Sequence, residues 1–453
     1  MATAPLERRA RNVILFVGDG MGISTVTAAR ILDGQRRGTT GEENLLAFER
    51  LPYVALSRTY SIDGQVPDSA STMTALITGA KNNDGVLSLD ARVALGDFRA
   101  APGRELATLV ERAEARGLAT GIVTTARLTH ATPAACYAHA AHRDWESDAD
   151  LPEAARAAGV KDIARQFVEF AHGDGIDVAL GGGRAKFLPA GAADPEDTGK
   201  SGGRGDGRDL VAAWRARHPE GVFVWNKAQF DAVDPARTRR LLGLFERSHM
   251  EFEHDRAQDA GGEPSLAEMT AKAIDILARN RKGYVLVVEG GRIDHAHHAG
   301  NAYRALTDTI ALADAVAAAL GKVDLRDTLV VVTADHSHVF TIGGYPKRGN
   351  AILGKVVEIG APGYARDAQG LPYTTLLYAN GPGYRGSRRP DLTAVDTADP
   401  DYLQEAAVPL ESETHAGEDV AVYAGGPMAH LVRGVLEQNA IYHVMAYALG
   451  LDE

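Results

Sequence analysis

The run NVILFVG, from Asn12 to Gly18, is followed at once by Asp19, and it decides the fold. A short, continuous run of Val, Ile and Leu is typical of a strand that is buried on both faces in a parallel sheet. Similar runs lie at residues 120–125, 177–180, 284–288, 328–333 and 419–423. Segments with helical periodicity separate them, and this alternation predicts an α/β fold: a doubly wound, mostly parallel central sheet with helices on both faces.

The clearest helical patterns lie at residues 105–116, 265–279 and 302–320. Two segments break the alternation. Residues 190–209 are rich in Gly and Asp and predict a surface loop. Residues 339–410 are rich in Gly, Pro and Tyr without a long helical pattern, and this indicates an insertion before the last strand.

The composition excludes several classes of protein. The net charge is −12, from 48 Lys and Arg against 60 Asp and Glu, which argues against nucleic acid as the main partner. The single cysteine, Cys136, excludes a disulfide within the chain and a zinc site made of cysteines alone. No uninterrupted apolar run approaches the roughly 18 residues of a membrane span, and the first residues are too polar for the core of a signal peptide.

Acidic residues follow three of the predicted strands. Asp19 comes directly after the first strand, Glu289 after the run at 284–288, and Asp335 with His336 after the run at 328–333. Ligands of open α/β sheets bind beyond the carboxyl ends of the strands, so we expect these groups to meet at one edge. Each residue alone could also cap a turn, but three such strand ends together favour a site.

The histidines near these residues indicate a metal site. Asp294 and His298 are four residues apart and would share one face of a helix. With cysteine absent, nitrogen and oxygen donors of this kind suit Zn²⁺. His415 lies in a third segment, just before the last predicted strand. The remaining histidines are expected to be ordinary hydrogen-bonded or exposed residues, among them His142, His172, His218 and His249.

Ser69 is a candidate nucleophile. It stands where a helix should begin, and Gly79 stands where that helix should end. A serine at a helix N-terminus lies near unpaired amide groups that favour phosphate, although a plain capping serine fits the same pattern. No Gly-x-Ser-x-Gly motif or adjacent base is present, so a metal would have to activate the hydroxyl.

Long motifs now join these residues to a known family. They include VGDGMG (17–22), VPDSASTMTALITGAK (66–81), VVEGGRIDHAHH (287–298), VTADHSHVFTIGGYPKRG (332–349) and ETHAGEDVAV (413–422). In these motifs the chain resembles the alkaline phosphatases, and more closely the animal-type branch than the enteric bacterial one. The resemblance implies a phosphomonoesterase that forms a phosphoserine on Ser69 and releases inorganic phosphate.

The resemblance also implies roles for individual residues. The first zinc site would consist of Asp294, His298 and His415. The second zinc site would consist of Asp19, Asp335 and His336. Asp19 would also join Thr132 and Glu289 in a magnesium site. Arg143 would hold the phosphate, and His130 and His295 would lie around the magnesium and the phosphate.

The animal-type enzymes carry a calcium site as well. Here Glu196, the Phe245 carbonyl, Glu246 and Glu263 fall at comparable places, although solvated surface carboxylates would give the same pattern. The implied organisation is a single domain over residues 1–453, with a surface insertion at 190–265 that holds the possible calcium site and a crown-like insertion at 339–410. The resemblance further implies a homodimer and a periplasmic or extracellular location for a chain whose leader has been removed.

Two other functions remain open. A phosphodiesterase or pyrophosphatase of the same superfamily would usually have a threonine nucleophile, and it would lack Arg143 and the magnesium residues. A non-catalytic zinc-binding or phosphate-binding protein would keep the donors without turnover. A sulfatase is excluded, because Cys136 does not lie in the Cys-x-Pro-x-Arg context that sulfatases need.

Overall fold

The structure is a computed structural model, and it describes residues 4–386 and 388–451. In chain order the strands are β1 (Asn12–Gly18), β2 (Tyr53–Arg58), β3 (Ala119–Arg127), β4 (Val178–Gly182), β5 (Val222–Val224), β6 (Leu241–Leu244), β7 (Tyr284–Gly290), β8 (Thr328–Ala334), β9 (Ser337–His338), β10 (Phe340–Ile342), β11 (Leu376–Gly381), β12 (Ala406–Pro409), β13 (His415–Ala416), β14 (Val420–Gly425) and β15 (Gly434–Glu437).

The α-helices are α1 (Ile23–Arg36), α2 (Ser69–Thr78), α3 (Leu109–Ala115), α4 (Ala131–Ala134), α5 (Glu153–Ala157), α6 (Ile163–Val168), α7 (Arg184–Phe187), α8 (Leu210–Arg217), α9 (Lys227–Ala232), α10 (Leu266–Leu277), α11 (Arg292–His298), α12 (Ala302–Leu320) and α13 (Ala440–Leu449). The helix expected at 105–116 begins only at Leu109, because Thr108 caps it and forms a reciprocal capping box with Glu111.

A large, mostly parallel sheet forms the centre of the molecule. Within the described residues, ten strands pair in the order β15-β2-β14-β8-β1-β7-β3-β4-β6-β5. β1 lies between β7 and β8 and is parallel to both. The predicted α/β class with a doubly wound, mostly parallel sheet is confirmed.

Two expectations about the sheet are corrected. β14 was predicted to be a parallel strand, but it is antiparallel to both β8 and β2. The range 190–265 was predicted to be a surface insertion, but it contains β5 and β6, which extend the central sheet at one edge. These two strands are three and four residues long, too short for a periodicity argument to find.

Alternate side chains of β1 enter two separate hydrophobic cores. Val13, Leu15 and Val17 pack on one face of the sheet with residues of α2, α3 and α13. Ile14 and Phe16 pack on the other face with residues of α1, α10 and α12. Because β1 is apolar on both faces, the sheet is covered by helices on both sides, as its continuous apolar run predicts.

The segment 339–410 carries a small sheet of its own. β11 pairs with β10 in an antiparallel way and with β12 in a parallel way. The described part of this segment contains no α-helix. Just outside it, β9 pairs with β13 and places His338 opposite His415. This short pairing brings a late part of the chain back to the carboxyl end of β8.

Candidate active site and metal centre

Three adjacent strands bring the acidic residues to one edge of the central sheet. β8, β1 and β7 are neighbours, and Asp335, Asp19 and Glu289 lie at or just beyond their carboxyl ends. All three side chains are buried, with 1% or less of each residue exposed. Buried carboxylates that meet at one edge of a sheet repel one another unless cations or protons lie between them.

The residues of the predicted first zinc site lie together. Asp294 Oδ1 is 3.3 Å from the Nε2 atoms of both His298 and His415, and these two nitrogens are 3.1 Å apart. The Nδ1 atom of His298 faces the Glu413 carbonyl at 2.6 Å, and that of His415 faces the Pro67 carbonyl at 2.8 Å.

These contacts fix the ring tautomers. A ring nitrogen that faces a carbonyl must carry the proton, so Nε2 of each neutral ring presents a lone pair. Two lone pairs and a carboxylate oxygen then converge on one point. A cation between them satisfies all three donors, and backbone carbonyls that orient the rings are typical of metal-binding histidines.

The residues of the predicted second zinc site surround the candidate nucleophile. His336 Nε2 is 3.3 Å from Asp19 Oδ1 and 3.4 Å from Asp335 Oδ2. The Ser69 hydroxyl is 3.1 Å from His336 Nε2 and 3.4 Å from Asp19 Oδ1. The hydroxyl therefore lies among the donors that would hold a cation, where it could be activated without a separate base.

Ser69 is the first residue of α2, as the sequence predicted. Asp68 is the capping residue, and its side chain accepts a hydrogen bond from the Ala70 amide at 3.1 Å. The helix ends at Gly79, whose φ of +79° is the left-handed conformation that favours glycine. The positive end of this helix dipole points toward the site, which favours an anion there.

Four unpaired polar atoms mark the predicted magnesium site. Three of them are the oxygen atoms Asp19 Oδ2, Glu289 Oε1 and Thr132 Oγ1, which are buried without a hydrogen-bond partner, and the fourth, His130 Nδ1, is a ring N–H beside them, since Nε2 of that ring accepts from Arg143. Donor atoms of Asp19, His130 and Glu289 all lie within 4.8 Å of one another. Buried oxygen atoms without partners are rare in folded proteins, and these fit the oxygen-rich shell that Mg²⁺ prefers.

Arg143 lies between the N-terminus of α2 and His130. Its Nη1 atom pairs with Asp68 Oδ1, and its Nη2 atom donates to His130 Nε2 at 2.8 Å. The Asp68 carboxylate raises the pKa of Arg143 further above its usual value, although burial opposes this. The guanidinium is therefore a fixed positive charge, and its planar shape suits two oxygens of one phosphate.

His249 adds a third imidazole beside His130 and His295, and donor atoms of all three lie within 4.8 Å of one another. His249 is hydrogen-bonded as expected, since its Nδ1 accepts from the Arg127 amide at 3.2 Å. No motif or spacing in the sequence predicts that it lies at the site. Burial lowers the pKa of His295 to about 3, so these rings are neutral at ordinary pH.

His338 and Glu413 are site residues to which the sequence analysis gave no role. His338 Nε2 is 2.9 Å from Asp294 Oδ1, and its Nδ1 is 2.5 Å from Glu413 Oε2. Gly20 allows this arrangement, because a Cβ at Gly20 would lie 2.3 Å from His338 Nε2. Both residues lie in the sequence motifs quoted above. The spacing within a motif does not distinguish a residue that binds a metal from a residue that orients a metal ligand by a hydrogen bond.

A cavity of about 300 Å³ borders the site at Arg143 and Asp68, and its lining also includes Asp63, Asp84, His142 and Asp144. A larger cavity, of about 770 Å³, lies at the amino-terminal edge of the sheet and includes Glu114 and Asp177. None of the site residues lines the larger cavity, so its size does not connect it with this chemistry.

The ionised form of several acidic groups of the site is unfavourable when no cation is bound. Burial, followed by repulsion from Asp294 and Asp335, raises the pKa of Asp19 well above its usual range. Burial also raises the pKa of Glu289 to about 7. For Asp294 burial acts in the same direction, but the surrounding histidines outweigh it and hold the pKa well below its usual range.

These raised pKa values predict how the stability of the metal-free protein depends on pH. Glu289 titrates near 4.5 when unfolded and near 7 when folded. The folded state therefore binds more protons between these values, and its stability falls as the pH rises through them. In chelator, we expect the midpoint of thermal unfolding of the wild type to drop by roughly 3 °C relative to that of Glu289→Gln between pH 5 and pH 8, because buried histidines such as His295 and His338 act in the opposite direction in both proteins. Scanning calorimetry with and without Zn²⁺ and Mg²⁺ measures this.

The metal-loaded protein is the control for this prediction. Bound cations favour the ionised carboxylates, so its midpoint should change much less over the same range. If the midpoint of the wild type in chelator did not fall with pH relative to that of Glu289→Gln, the assignment of these groups as mutually repelling carboxylates would be contradicted.

The predicted calcium residues lie around Arg184. Its guanidinium donates to Glu196 Oε2 at 2.8 Å and to the Phe245 carbonyl at 2.8 Å. Burial and the charge of Glu196 raise the pKa of Glu246 to about 8, and burial and the charge of Glu246 raise that of Glu263 to about 9.

A further carboxylate, Asp259, lies in the same region. It acts electrostatically on Glu196, Glu246 and Glu263. Asp259 Oδ2 and Glu263 Oε2 are both buried without a partner. The region thus concentrates more negative charge than Arg184 can neutralise, which fits a cation site with oxygen donors.

A comparison with known families decides the identity. The family model described as "Alkaline phosphatase" matches residues 10–451. The chain belongs to the alkaline phosphatase family. It is 50% identical over 447 residues to the tissue-nonspecific alkaline phosphatase of Gallus gallus, covering 97% of this chain and 84% of that protein. It is 47% identical over 449 residues to the alkaline phosphatase of Gadus morhua, covering 98% and 92%.

Solved alkaline phosphatases share the fold. The enzyme of Thermus thermophilus superposes with a TM-score of 0.71 at 27% identity, covering all of this chain and 94% of that one. The alkaline phosphatase of the Antarctic bacterium TAB5 superposes with a TM-score of 0.68 at 21% identity, covering 99% and 100%. Among residues 4–386 and 388–451, no helix combines the length and apolar character needed to cross a membrane.

Proposed function

We propose that this alkaline phosphatase hydrolyses phosphate monoesters through a phosphoserine formed on Ser69. The observation that carries the proposal is the position of the Ser69 hydroxyl, at the N-terminus of α2 and 3.1 Å from His336 Nε2. A nucleophile, a set of metal donors and a helix end that favours phosphate thus meet at one point. A non-catalytic zinc-binding protein would not need the hydroxyl there.

Each residue of the site has a separate role in the reaction. Ser69 attacks the phosphorus and becomes phosphorylated as the alcohol leaves, and water then releases inorganic phosphate and restores the hydroxyl. Arg143 binds two oxygens of the transferred group, where negative charge accumulates. The amide groups at the start of α2 add further positive potential. Asp68 keeps Arg143 in place through their ion pair.

Two zinc ions and one magnesium ion fit the donors present. Asp294, His298 and His415 would hold the first zinc, and Asp19, Asp335 and His336 the second. Asp19, Thr132 and Glu289 would hold magnesium. Divalent cations held there supply Lewis acidity for the attacking and leaving oxygens. His130 and His295 lie beside Arg143 and the magnesium donors, where they can orient water and phosphate.

Arg143 also favours monoesters over the alternative substrates. A monoester presents three free oxygens to the site, whereas a diester presents only two. A guanidinium that binds two oxygens in addition to those near the metal donors is therefore matched to the monoester. A phosphodiesterase or pyrophosphatase of the same superfamily remains the second candidate.

Covalent trapping tests this proposal. Enzyme that is turning over a radiolabelled aryl phosphate is denatured in acid, and the labelled peptide is mapped. We expect the label on the peptide that contains Ser69. In parallel, an aryl phosphate monoester should be hydrolysed much faster than the bis-aryl phosphodiester. Turnover without any covalent phosphate, or faster hydrolysis of the diester, would overturn the proposal.

A calcium ion is proposed at the carboxylates around Arg184, with Glu196, Glu246, Glu263 and the Phe245 carbonyl as donors. In enzyme saturated with Zn²⁺ and Mg²⁺, added Ca²⁺ should raise the midpoint of thermal unfolding by several degrees, because it relieves the repulsion among buried carboxylates. Glu246→Gln should lose most of this response, and Glu358→Gln, at an exposed site, should keep it. An equal response in all three proteins would contradict the site.

A homodimer and a periplasmic or extracellular location are also proposed. Tyr345 and Ile359, both in the segment 339–410, are 82% and 85% exposed. A contiguous apolar patch that includes these side chains would mark a surface that contacts another protein. Sedimentation equilibrium should give twice the mass of the chain, and a monomer at micromolar concentration would contradict the dimer.

A further inference from the structure

Outside the site described above, two histidines converge on one buried glutamate. Glu111 lies in the first turn of α3, His139 follows α4, and His172 lies in the loop between α6 and β4. His139 Nε2 is 2.9 Å from Glu111 Oε1, and His172 Nε2 is 3.2 Å from the same oxygen. Three separate segments of the chain thus bring three potential ligand atoms to one point.

The contacts of His139 require either a proton or a metal ion at this point. Its Nδ1 atom faces the Ser88 carbonyl at 2.8 Å, so Nδ1 must carry the proton. In the neutral ring Nε2 then presents a lone pair to a carboxylate oxygen only 2.9 Å away. Two lone pairs at this distance repel each other unless a proton or a metal ion lies between them.

The remaining contacts hold Glu111 in place. Its second oxygen, Oε2, accepts a hydrogen bond from the Thr108 amide at 2.8 Å as part of the capping box. Oε1 is therefore the oxygen directed at the two rings. Burial opposes ionisation of Glu111, but the hydrogen bond and charge of His139 outweigh it and lower the pKa of this carboxyl, so it stays ionised.

The spacing matches a metal site. Ligands that surround Zn²⁺ tetrahedrally at about 2.0–2.1 Å are about 3.3 Å from one another. The contacts of 2.9 and 3.2 Å around Glu111 Oε1 are close to this spacing. Two histidines and one glutamate form a donor set that zinc uses together with a water molecule.

The surroundings leave room and charge for such an ion. The three residues line a cavity of about 350 Å³ that also includes Glu105, Lys161 and Glu169. Lys161 forms an ion pair with Glu169 at 2.8 Å, so its positive charge is already balanced. The charge of Glu105 therefore adds to the negative potential in the cavity. His172 is about half exposed, which gives an ion a path from solvent.

We propose that Glu111, His139 and His172 bind a further divalent transition-metal ion, of which Zn²⁺ is the best match, with water completing its coordination. The site is separate from the donors around Ser69 and shares no residue with them. Its role is structural: an ion there joins the start of α3 to the segment after α4 and to the loop before β4. Through His139 it also fixes the position of the Ser88 carbonyl.

Metal counting on the intact enzyme tests this site. Wild-type enzyme and His172→Ala are equilibrated in the same zinc buffer, separated from free metal, and analysed by plasma mass spectrometry. We expect His172→Ala to hold about one zinc fewer per chain, with unchanged phosphomonoesterase activity. The control is His443→Ala, which removes an exposed histidine of α13 and should bind zinc as the wild type does.

A second variant and a stability measurement complete the test. Glu111→Gln should lose the same zinc equivalent even if His172→Ala keeps it weakly bound. Zinc beyond the amount that gives full activity should raise the unfolding midpoint of the wild type but not of either variant. Equal zinc content in all the proteins would overturn the proposal, because the cluster would then be only an ion pair. Loss of zinc together with activity would also overturn it.

Discussion

Ser69→Ala should reduce kcat by about 10⁴-fold or more, which corresponds to about 5 kcal/mol of transition-state stabilisation. The substitution removes the hydroxyl that accepts the phosphoryl group in the proposed reaction, at the N-terminus of α2 and 3.1 Å from His336 Nε2. The donor atoms of the metal sites are not changed, so the variant should still bind metals and inorganic phosphate. Steady-state kinetics with an aryl phosphate and metal analysis of the same sample check both parts.

Ser71→Ala is the matched control on the same helix. Ser71 is also buried, but its hydroxyl lies 2.8 Å from Asp84 Oδ1 and 3.0 Å from the Asp68 carbonyl, two acceptors that share its single proton, rather than beside the metal donors. It should keep activity within about threefold of the wild type, because its hydroxyl does not touch the reacting groups and the lost hydrogen bond lowers the stability of the fold, by about 1.5–3 kcal/mol for a carboxylate acceptor. Full turnover by Ser69→Ala with metals bound would exclude the phosphoserine route.

Asp294→Asn should abolish most activity, by on the order of 10³-fold, through loss of the first zinc. Asp294 Oδ1 is the shared neighbour of His298, His338 and His415. The amide keeps the shape of the side chain but removes the negative charge that, together with the Nε2 lone pairs of His298 and His415, favours a cation there. Metal analysis should show about one zinc fewer per chain, and added zinc should restore only part of the activity.

The control for this prediction is another buried aspartate. Asp177 lies at the opposite edge of the sheet, where its Oδ2 accepts from the Thr120 amide at 3.0 Å. An asparagine can accept the same hydrogen bond, so Asp177→Asn should keep both its metals and its activity. If Asp294→Asn kept a full complement of zinc, the first zinc site would have to be assigned to other residues.

The positions of the acidic residues could be predicted because strand ends are visible in a sequence. The apolar runs before Asp19, Glu289 and Asp335 are long enough to define buried strands, and parallel strands bring their carboxyl ends together. Ser69 and Gly79 mark the ends of α2 for the same local reason, since capping depends on a few neighbouring residues.

Contacts between distant segments could not be predicted in this way. His338 and Glu413 meet only because β9 pairs with β13, and these strands are two residues long. His249 reaches His130 and His295 from a loop with no periodic pattern. The direction of β14 also depends on its partners β2 and β8 rather than on its own residues.

The pairing of β9 with β13 also sets a time order for the synthesis of the protein. Asp19 and Ser69 are made early, but His415 enters the site only when a late part of the chain folds back onto His338. Domains begin to fold while the chain is still being synthesised, and metal sites form together with the fold. A ribosome-bound chain that ends before His415 therefore lacks one donor of the proposed first zinc site, and on this proposal the paired metals are loaded in the last stage of maturation.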